Sequence, residues 1–218
     1  LSSTQSIAVA VGNVNEAPTI SSSSFSIAEG STAIGTIAAS DPDASSTLSY
    51  AISGTDSSKF SINTSSGAVV FLSPPDFESP TDNGLDNTYN FTVTVSDGSL
   101  SSTQSIAVAV GNVNEAPSFS IASAQSYVEN SGATISVVAN DPDASSSLTY
   151  TLSGTDASKF TISSSGVLSF SSAPDYEEPS DSGSNNIFNL SVAVSDGVNS
   201  SSVALVISLT DDTSDNYG

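Results

Sequence analysis

From Thr88 the chain reads TYNFTVTVSDG, in which Tyr89, Phe91, Val93 and Val95 alternate with polar neighbours. Side chains along an extended strand point to opposite faces in turn, so one apolar set with a period of two predicts a strand buried on one side. TQSIAVAVG continues the pattern with Ile106, Val108 and Val110. Further on, Phe188, Leu190, Val192 and Val194 share one parity, as do Leu205, Ile207 and Leu209. Shorter runs, SFSIAE, AIGTIAAS, TLSYAIS, KFSIN and GAVVFL, are separated by Asp-Pro, Ser-Gly and Asp-Gly breakers. Such pairs end strands because Pro has no N–H to give and Gly accepts positive φ. No stretch keeps a helical period through three turns. The prediction is an all-β chain.

Strand signals at roughly 8–12-residue spacing, about seven per hundred residues, suit an immunoglobulin-like β-sandwich. The whole pattern occurs twice. Leu1–Pro18, LSSTQSIAVAVGNVNEAP, recurs letter for letter as Leu100–Pro117. At nearly the same offset SDPDAS at Ser40 answers NDPDAS at Asn140, SGTDSSKF at Ser53 answers SGTDASKF at Ser153, and PPDFESP at Pro74 answers APDYEEP at Ala173. This period exceeds the roughly 20–50 residues of solenoid units and matches an independent domain. Residues 1–17 therefore read as the last strand and linker of a preceding repeat, 18–112 as one full repeat and 113–218 as a second, all cut from a longer repetitive protein.

Charge narrows the possible partners. Two basic residues stand against 23 acidic ones, a formal charge of −21. Nucleic acid and anionic membrane both need clustered Lys and Arg, so both are excluded. No apolar run approaches the roughly 18 residues of a membrane span, so this stretch is expected not to insert directly. There is no Cys to staple the modules and no His to serve as a general base. An enzyme is not expected. Asp76 and Glu78 could in principle form a glycosidase pair, but the pair recurs in each module amid other acids, which suits a structural role better than one active site.

The acids recur in order. The first module carries Glu29 in AEG, Asp41 and Asp43 in DPD, Asp76 and Glu78 in DFE, and Asp97 in SDG, followed by the linker residues Asn112, Asn114 and Glu115. The second carries Glu129, Asp141 and Asp143, Asp175 and Glu177 in DYE, Asp196, and Asp211 beyond its last strand. Singly, DPD is a turn, SDG a hairpin signal and DFE a solvated strand end. Five motifs in one order, twice over, point to metal. Together they resemble the cadherin repeat in its bacterial, cadherin-like form, with GNVNEAP standing where animal members carry DxNDNxP.

That resemblance covers the chain and implies seven-stranded Greek-key sandwiches joined end to end, with Ca²⁺ held where consecutive modules meet. It assigns Glu29, Asp76, Glu78, Asn112, Asn114, Glu115, Asp141, Asp143 and Asp196 to one complete junction. Asn13, Asn15, Glu16, Asp41, Asp43 and Asp97 would be half of a second, and Glu129, Asp175, Glu177 and Asp211 half of a third, both expected to fill only partially. Calcium takes 6–8 hard oxygen ligands in flexible geometry, and only oxygen is on offer. Carboxylates about 4 Å apart repel by roughly 1–4 kcal/mol between water and a protein surface, so such a nest should open without cations.

The implied function is a calcium-rigidified array of an extracellular protein, on a bacterial cell surface or secreted, acting in adhesion and as a spacer. Its partners would be calcium ions and other copies of itself. A calcium-dependent carbohydrate-binding module, with surface glycans as partners, is the alternative. The absence of Trp leaves no anchor residue for the strand exchange of animal members. Loops 81–87 and 180–186 read as plain exposed connections, with Asp82 and Asp86 a weaker ion-binding pair. Lys59 and Lys159, at equivalent SKF positions, are expected to pair with local carboxylates.

Overall fold

The computed structural model describes residues 1–43, 46–143 and 147–214. The chain divides into two compact units, Leu1–Val113 and Asn114–Gly218. In the first, the strands are β1 (Thr19–Ile20), β2 (Ser24–Ala28), β3 (Ala33–Thr36), β4 (Ala39–Ser40), β5 (Ser49–Ser53), β6 (Phe60–Ile62), β7 (Ala68–Phe71), β8 (Thr88–Ser96) and β9 (Ser101–Gly111). In the second they are β10 (Ser118–Phe119), β11 (Ala124–Val128), β12 (Ile135–Ser136), β13 (Ala139–Asn140), β14 (Thr149–Ser153), β15 (Phe160–Ile162), β16 (Val167–Phe170), β17 (Ile187–Ser195) and β18 (Ser200–Thr210). The only helical pieces among the described residues are 3₁₀ turns at Ser57–Lys59 and Ala157–Lys159.

Each unit packs a four-stranded sheet against a three-stranded one. The orders are β2-β9-β8-β5 and β3-β7-β6 in the first unit, β11-β18-β17-β14 and β12-β16-β15 in the second. β1 with β4, and β10 with β13, add two-residue pairs. All pairings are antiparallel except those of β2 with β9 and β11 with β18.

The predicted parity holds. Tyr89, Phe91, Val93 and Val95 of β8 and Ile106, Val108 and Val110 of β9 are buried, as are their equivalents in β17 and β18. In the first core Phe60 lies 4.5 Å from Phe71 and 4.8 Å from Phe91 between ring centroids, and Tyr89 meets Phe71 edge-on at 5.0 Å. The second core repeats this with Phe160, Phe170 and Phe188. Tilted and edge-on rings of this kind bring more than their buried area alone, about 0.5–1.5 kcal/mol per pair. The cores are separate: one cluster gathers residues of the first unit only, the other residues of the second.

Leu1–Val11 joins no sheet among the described residues, and Ile7, Val9 and Val11 are exposed.

Candidate metal centre

Two acidic groups form in each unit. One surrounds the segment leading into the unit, the other the segment leaving it.

The leading group of the first unit gathers Asn13, Asn15, Glu16, Asp41, Asp43 and Asp97. Asp41 Oδ1 accepts the Asp43 backbone N–H at 2.8 Å, the Asx turn that DPD predicts. Its other oxygen, Oδ2, is buried with no hydrogen-bond partner among the described residues. Asp43 accepts the Glu16 backbone N–H at 2.8 Å and the Asn13 side-chain amide. Asp97 Oδ1 caps its own hairpin by accepting from Ser99 and Leu100 at 2.6 and 2.7 Å, while Oδ2 accepts the Asn15 amide at 2.8 Å. Gly98, at φ 98°, supplies the left-handed position this turn requires.

The second unit repeats the arrangement. Asp141 Oδ1 takes the Asp143 N–H at 2.9 Å and its Oδ2 is buried without a partner. Asp143 accepts the Glu115 N–H at 2.8 Å. Asp196 holds Val198 and Asn199 with one oxygen and the Asn114 amide with the other. Backbone N–H groups and the linker amides hold Asp43, Asp97 and Asp196 below the usual carboxylate range: for Asp43 the Glu16 N–H comes first, for Asp97 that of Leu100, for Asp196 that of Val198. In each DPD the first Asp makes the local turn with one oxygen and buries the other without a described partner, while Asp97 and Asp196 make their hairpins with one oxygen and hold a linker Asn amide with the other.

The trailing group of the first unit brings a carboxylate oxygen from each of Glu29, Asp76 and Glu78 within 4.8 Å of one another. Glu29 is the clamp: Oε2 accepts the Phe77 N–H and Oε1 the Val113 N–H, both at 2.7 Å. Asp76 Oδ1 turns the chain by accepting from Ser79 at 3.0 Å. In the second unit Glu129 spans Tyr176 at 2.6 Å and Asp212 at 2.9 Å, and it is fully buried. Its group is Glu129, Glu177 and Asp211. Asp175 lies outside that cluster, and its Oδ1 accepts the Glu177 and Glu178 N–H groups at 2.9 Å each. Asp211 stands where the first unit has Asn112.

Several assignments change on contact with the structure. Loops 81–87 and 180–186 are not plain exposed connections, since Asp82 and Asp181 are buried within them. Asp82 accepts from the Asp86 and Asn87 backbone, and Asp181 from that of Gly183, Asn185 and Asn186. Burial pushes both carboxyls up, but these N–H groups outweigh it and hold both below the ordinary range. A folded pKa below the unfolded one adds stability above the unfolded value, which is lost as pH falls through the folded value. The Asn186 amide resonance should therefore track Asp181 with a midpoint below about 3.9 in an NMR pH titration. A midpoint at or above that value would contradict the loop geometry.

Sequence reading also missed Asp56 and Asp156, both buried. Asp56 ties Asn83 at 2.9 Å and Asn90 at 2.8 Å, and Asp156 ties Ser182 and Asn189 at 2.7 Å each. The signal was available in the doubled SGTD. Lys59 and Lys159 form no ion pair with a described residue. They line open cavities of about 580 and 450 Å³ beside Asp76 and Asp175 instead.

Comparison with known proteins places this architecture. Residues 23–111 match the cadherin domain, and residues 114–208 a bacterial Ig domain. Among solved structures, human Protocadherin-24 EC1-2 is 24% identical with a TM-score of 0.63 over 90% of this chain and 100% of that one. Drosophila N-cadherin EC1-4 is 22% identical, TM-score 0.59, over 90% of this chain and 50% of that one. Mouse Cadherin-23 EC22-24 is 23% identical, TM-score 0.55, covering 89% and 65%. No curated protein sequence matches. The chain is a tandem of immunoglobulin-type, cadherin-like β-sandwiches. Its first unit resembles the cadherin domain, and its second matches a bacterial Ig domain on the same fold. No helix among the described residues is long and apolar enough to cross a membrane.

Proposed function

We propose that this chain is a segment of an extracellular adhesive array whose consecutive units are stiffened by Ca²⁺, so that it acts as a spacer and in adhesion, including between copies of itself. The observation that carries the reading is the treatment of charge. Asp41 and Asp141 each bury a partnerless carboxylate oxygen, and Glu129 is buried entirely, although the chain has only two cationic side chains. Removing a carboxylate from water is costly unless a counter-charge meets it, and the donor set is all oxygen, so a hard cation fits.

Within the proposal, Glu29, Asp76, Glu78 and Asn112 form one set of calcium ligands and Asn114, Glu115, Asp141, Asp143 and Asp196 another, the step from Val113 to Asn114 joining the two sets covalently. Asn13, Asn15, Glu16, Asp41, Asp43 and Asp97 would form the leading half-site, and Glu129, Asp175, Glu177 and Asp211 the trailing one. Bound calcium supplies counter-charge and nothing else. The chain's own residues set the geometry: Glu29 and Glu129 clamp the DxE loop to the departing linker, while Asp43 and Asp143 clamp the DPD turn to the arriving one.

Calcium titration by calorimetry tests this reading on the wild-type chain and on Asp141→Asn. The wild type should take up ions exothermically or endothermically at neutral pH, and the variant should bind at least about tenfold more weakly, as for loss of a direct carboxylate ligand. A wild-type chain that gives no heat and no change in melting temperature with millimolar calcium would end the reading. The glycan alternative expects exposed aromatic faces, yet among the described residues Tyr176 is the single exposed aromatic. No catalytic role is proposed.

A further inference from the structure

We infer that Asn87 and Asn186, which no motif marks, position the DxE carboxylates, and that loops 81–87 and 180–186 exist to hold these two amides in place. The inference rests on the calcium reading above.

Asn87 Nδ2 donates to the Phe77 carbonyl at 2.8 Å, and Asn186 Nδ2 donates to the Tyr176 carbonyl at 2.9 Å. Phe77 is the middle residue of DFE and Tyr176 the middle residue of DYE. The N–H groups of the same two residues are held by Glu29 and Glu129. Both polar groups of the central residue are thereby pinned, one by each side of the site. With its carbonyl and N–H fixed, that residue cannot rotate its flanking peptide planes, and the Cα–Cβ vectors of Asp76 and Glu78 follow from those planes.

The amide is itself anchored. The Asn87 N–H goes to Asp82 at 3.1 Å and its carbonyl accepts from Val110 of β9 at 2.9 Å. In the second unit the Asn186 N–H goes to Asp181 at 2.8 Å and its carbonyl accepts from Leu209 of β18 at 2.9 Å. Asp56 and Asp156 tie the neighbouring backbone from farther away.

Two observations argue that the side chain, not merely the turn, is needed. Both asparagines sit at φ 62°, a left-handed conformation that Gly adopts at no steric cost. Both also bury an Oδ1 with no hydrogen-bond partner among the described residues. An unmet buried carbonyl is destabilising, and Gly would remove that cost as well as the backbone strain. The chain nonetheless carries Asn at both places, so the remaining group, the Nδ2 donor, has a use that outweighs both penalties. Orienting a metal-binding loop through a hydrogen bond to its backbone is such a use, and losing one typically weakens metal binding 10–100-fold.

The test is calorimetric titration of the full chain with Ca²⁺, using wild type, Asn87→Gly, Asn186→Gly and Asn87→Asp, each also melted in chelator. Gly keeps the φ and deletes the donor; Asp keeps the shape but turns an acceptor toward the Phe77 carbonyl. The expected result is 10–100-fold weaker binding in the Gly variants and at least as large a loss in Asn87→Asp, with chelator melting temperatures close to wild type. A metal-free readout goes with it: in chelator, Phe77 and Ser79 amide hydrogens of Asn87→Gly should exchange faster while core amides of β8 do not. Unchanged affinity in the Gly variants overturns the inference alone. So does loss of affinity accompanied by collapse of the chelator-state melt, which would mark the amides as general scaffolding. Absence of calcium binding by the wild type overturns this inference together with the calcium reading, and is recognised by that control.

Discussion

Moving the wild-type chain from millimolar calcium into chelator should lower its melting temperature by about 10–20 °C. A ligand that binds only the folded state contributes about 2.7 kcal/mol at a hundred times its dissociation constant, and about 1 kcal/mol shifts the midpoint of a domain this size by roughly 4–8 °C. The physical source is the crowding of like charge. Glu29, Asp76 and Glu78 in one unit, and Glu129, Glu177 and Asp211 in the other, hold carboxylate oxygens within 4.8 Å of one another. Monovalent salt separates screening from binding. At about 1 M the Debye length falls to roughly 3 Å, so NaCl in chelator should restore part of the lost stability, but not the part that comes from direct coordination. Small-angle scattering should follow the same titration, its distance distribution narrowing as calcium is added. Coincident melts and scattering curves with calcium and with chelator would defeat the proposal.

Phe188→Ala should lower the stability of the second unit by about 3–5 kcal/mol and leave the first unit's transition where it was. Phe188 is fully buried and touches Phe160 and Phe170 at ring-centroid distances of 5.7 and 5.0 Å. Truncation removes transfer free energy and leaves a cavity that β17, which carries the residue, and its neighbour β18 cannot close without breaking their ladder. Since domains are commonly stable by only about 5–15 kcal/mol, the loss should be visible as one melting transition moving down by roughly 12–40 °C while the other stays. Calorimetry reads both at once. A single transition that shifts as a whole would mean that the two cores are not energetically separate, contrary to their separate clusters.

The site was legible in proportion to how local its signals are. DPD and SDG announce themselves because each Asp makes a turn with residues two or three positions ahead, and those turns formed as read, whereas DFE, read as a solvated strand end, lies beyond β7 and turns through Asp76 and Ser79. Glu29 was legible only through its recurrence beside a family pattern. Asn87 was not legible at all, Asp82 only as a weaker ion-binding candidate, and Asp56 only through the doubled SGTD. Asp56 acts on Asn90, 34 residues away, and Asn87 acts on a backbone carbonyl of Phe77. A side chain that serves another segment's backbone leaves no trace in periodicity, since the backbone it serves has no letter. DFE and DYE also differ in their surroundings, for a related reason. Asp175 turns both Glu177 and Glu178 with one oxygen, and Asp211 brings a carboxylate where the first unit has Asn112.

By itself the sequence determined the strand parity, the doubling into two units and the order of the acids. Each of these follows from spacing along the chain: a pleat sends alternate residues to opposite faces whatever lies beyond them. Whether a given strand forms at all was decided by its neighbours. LSSTQSIAVAV is spelled twice, and only the copy at Leu100–Val110 lies between β8 and β2 with Ile106, Val108 and Val110 buried; in the copy at Leu1–Val11 the same side chains, Ile7, Val9 and Val11, face solvent. A strand's hydrogen bonds and its apolar face are both satisfied by other segments, so identical letters become a central strand or stay outside any sheet according to what stands beside them.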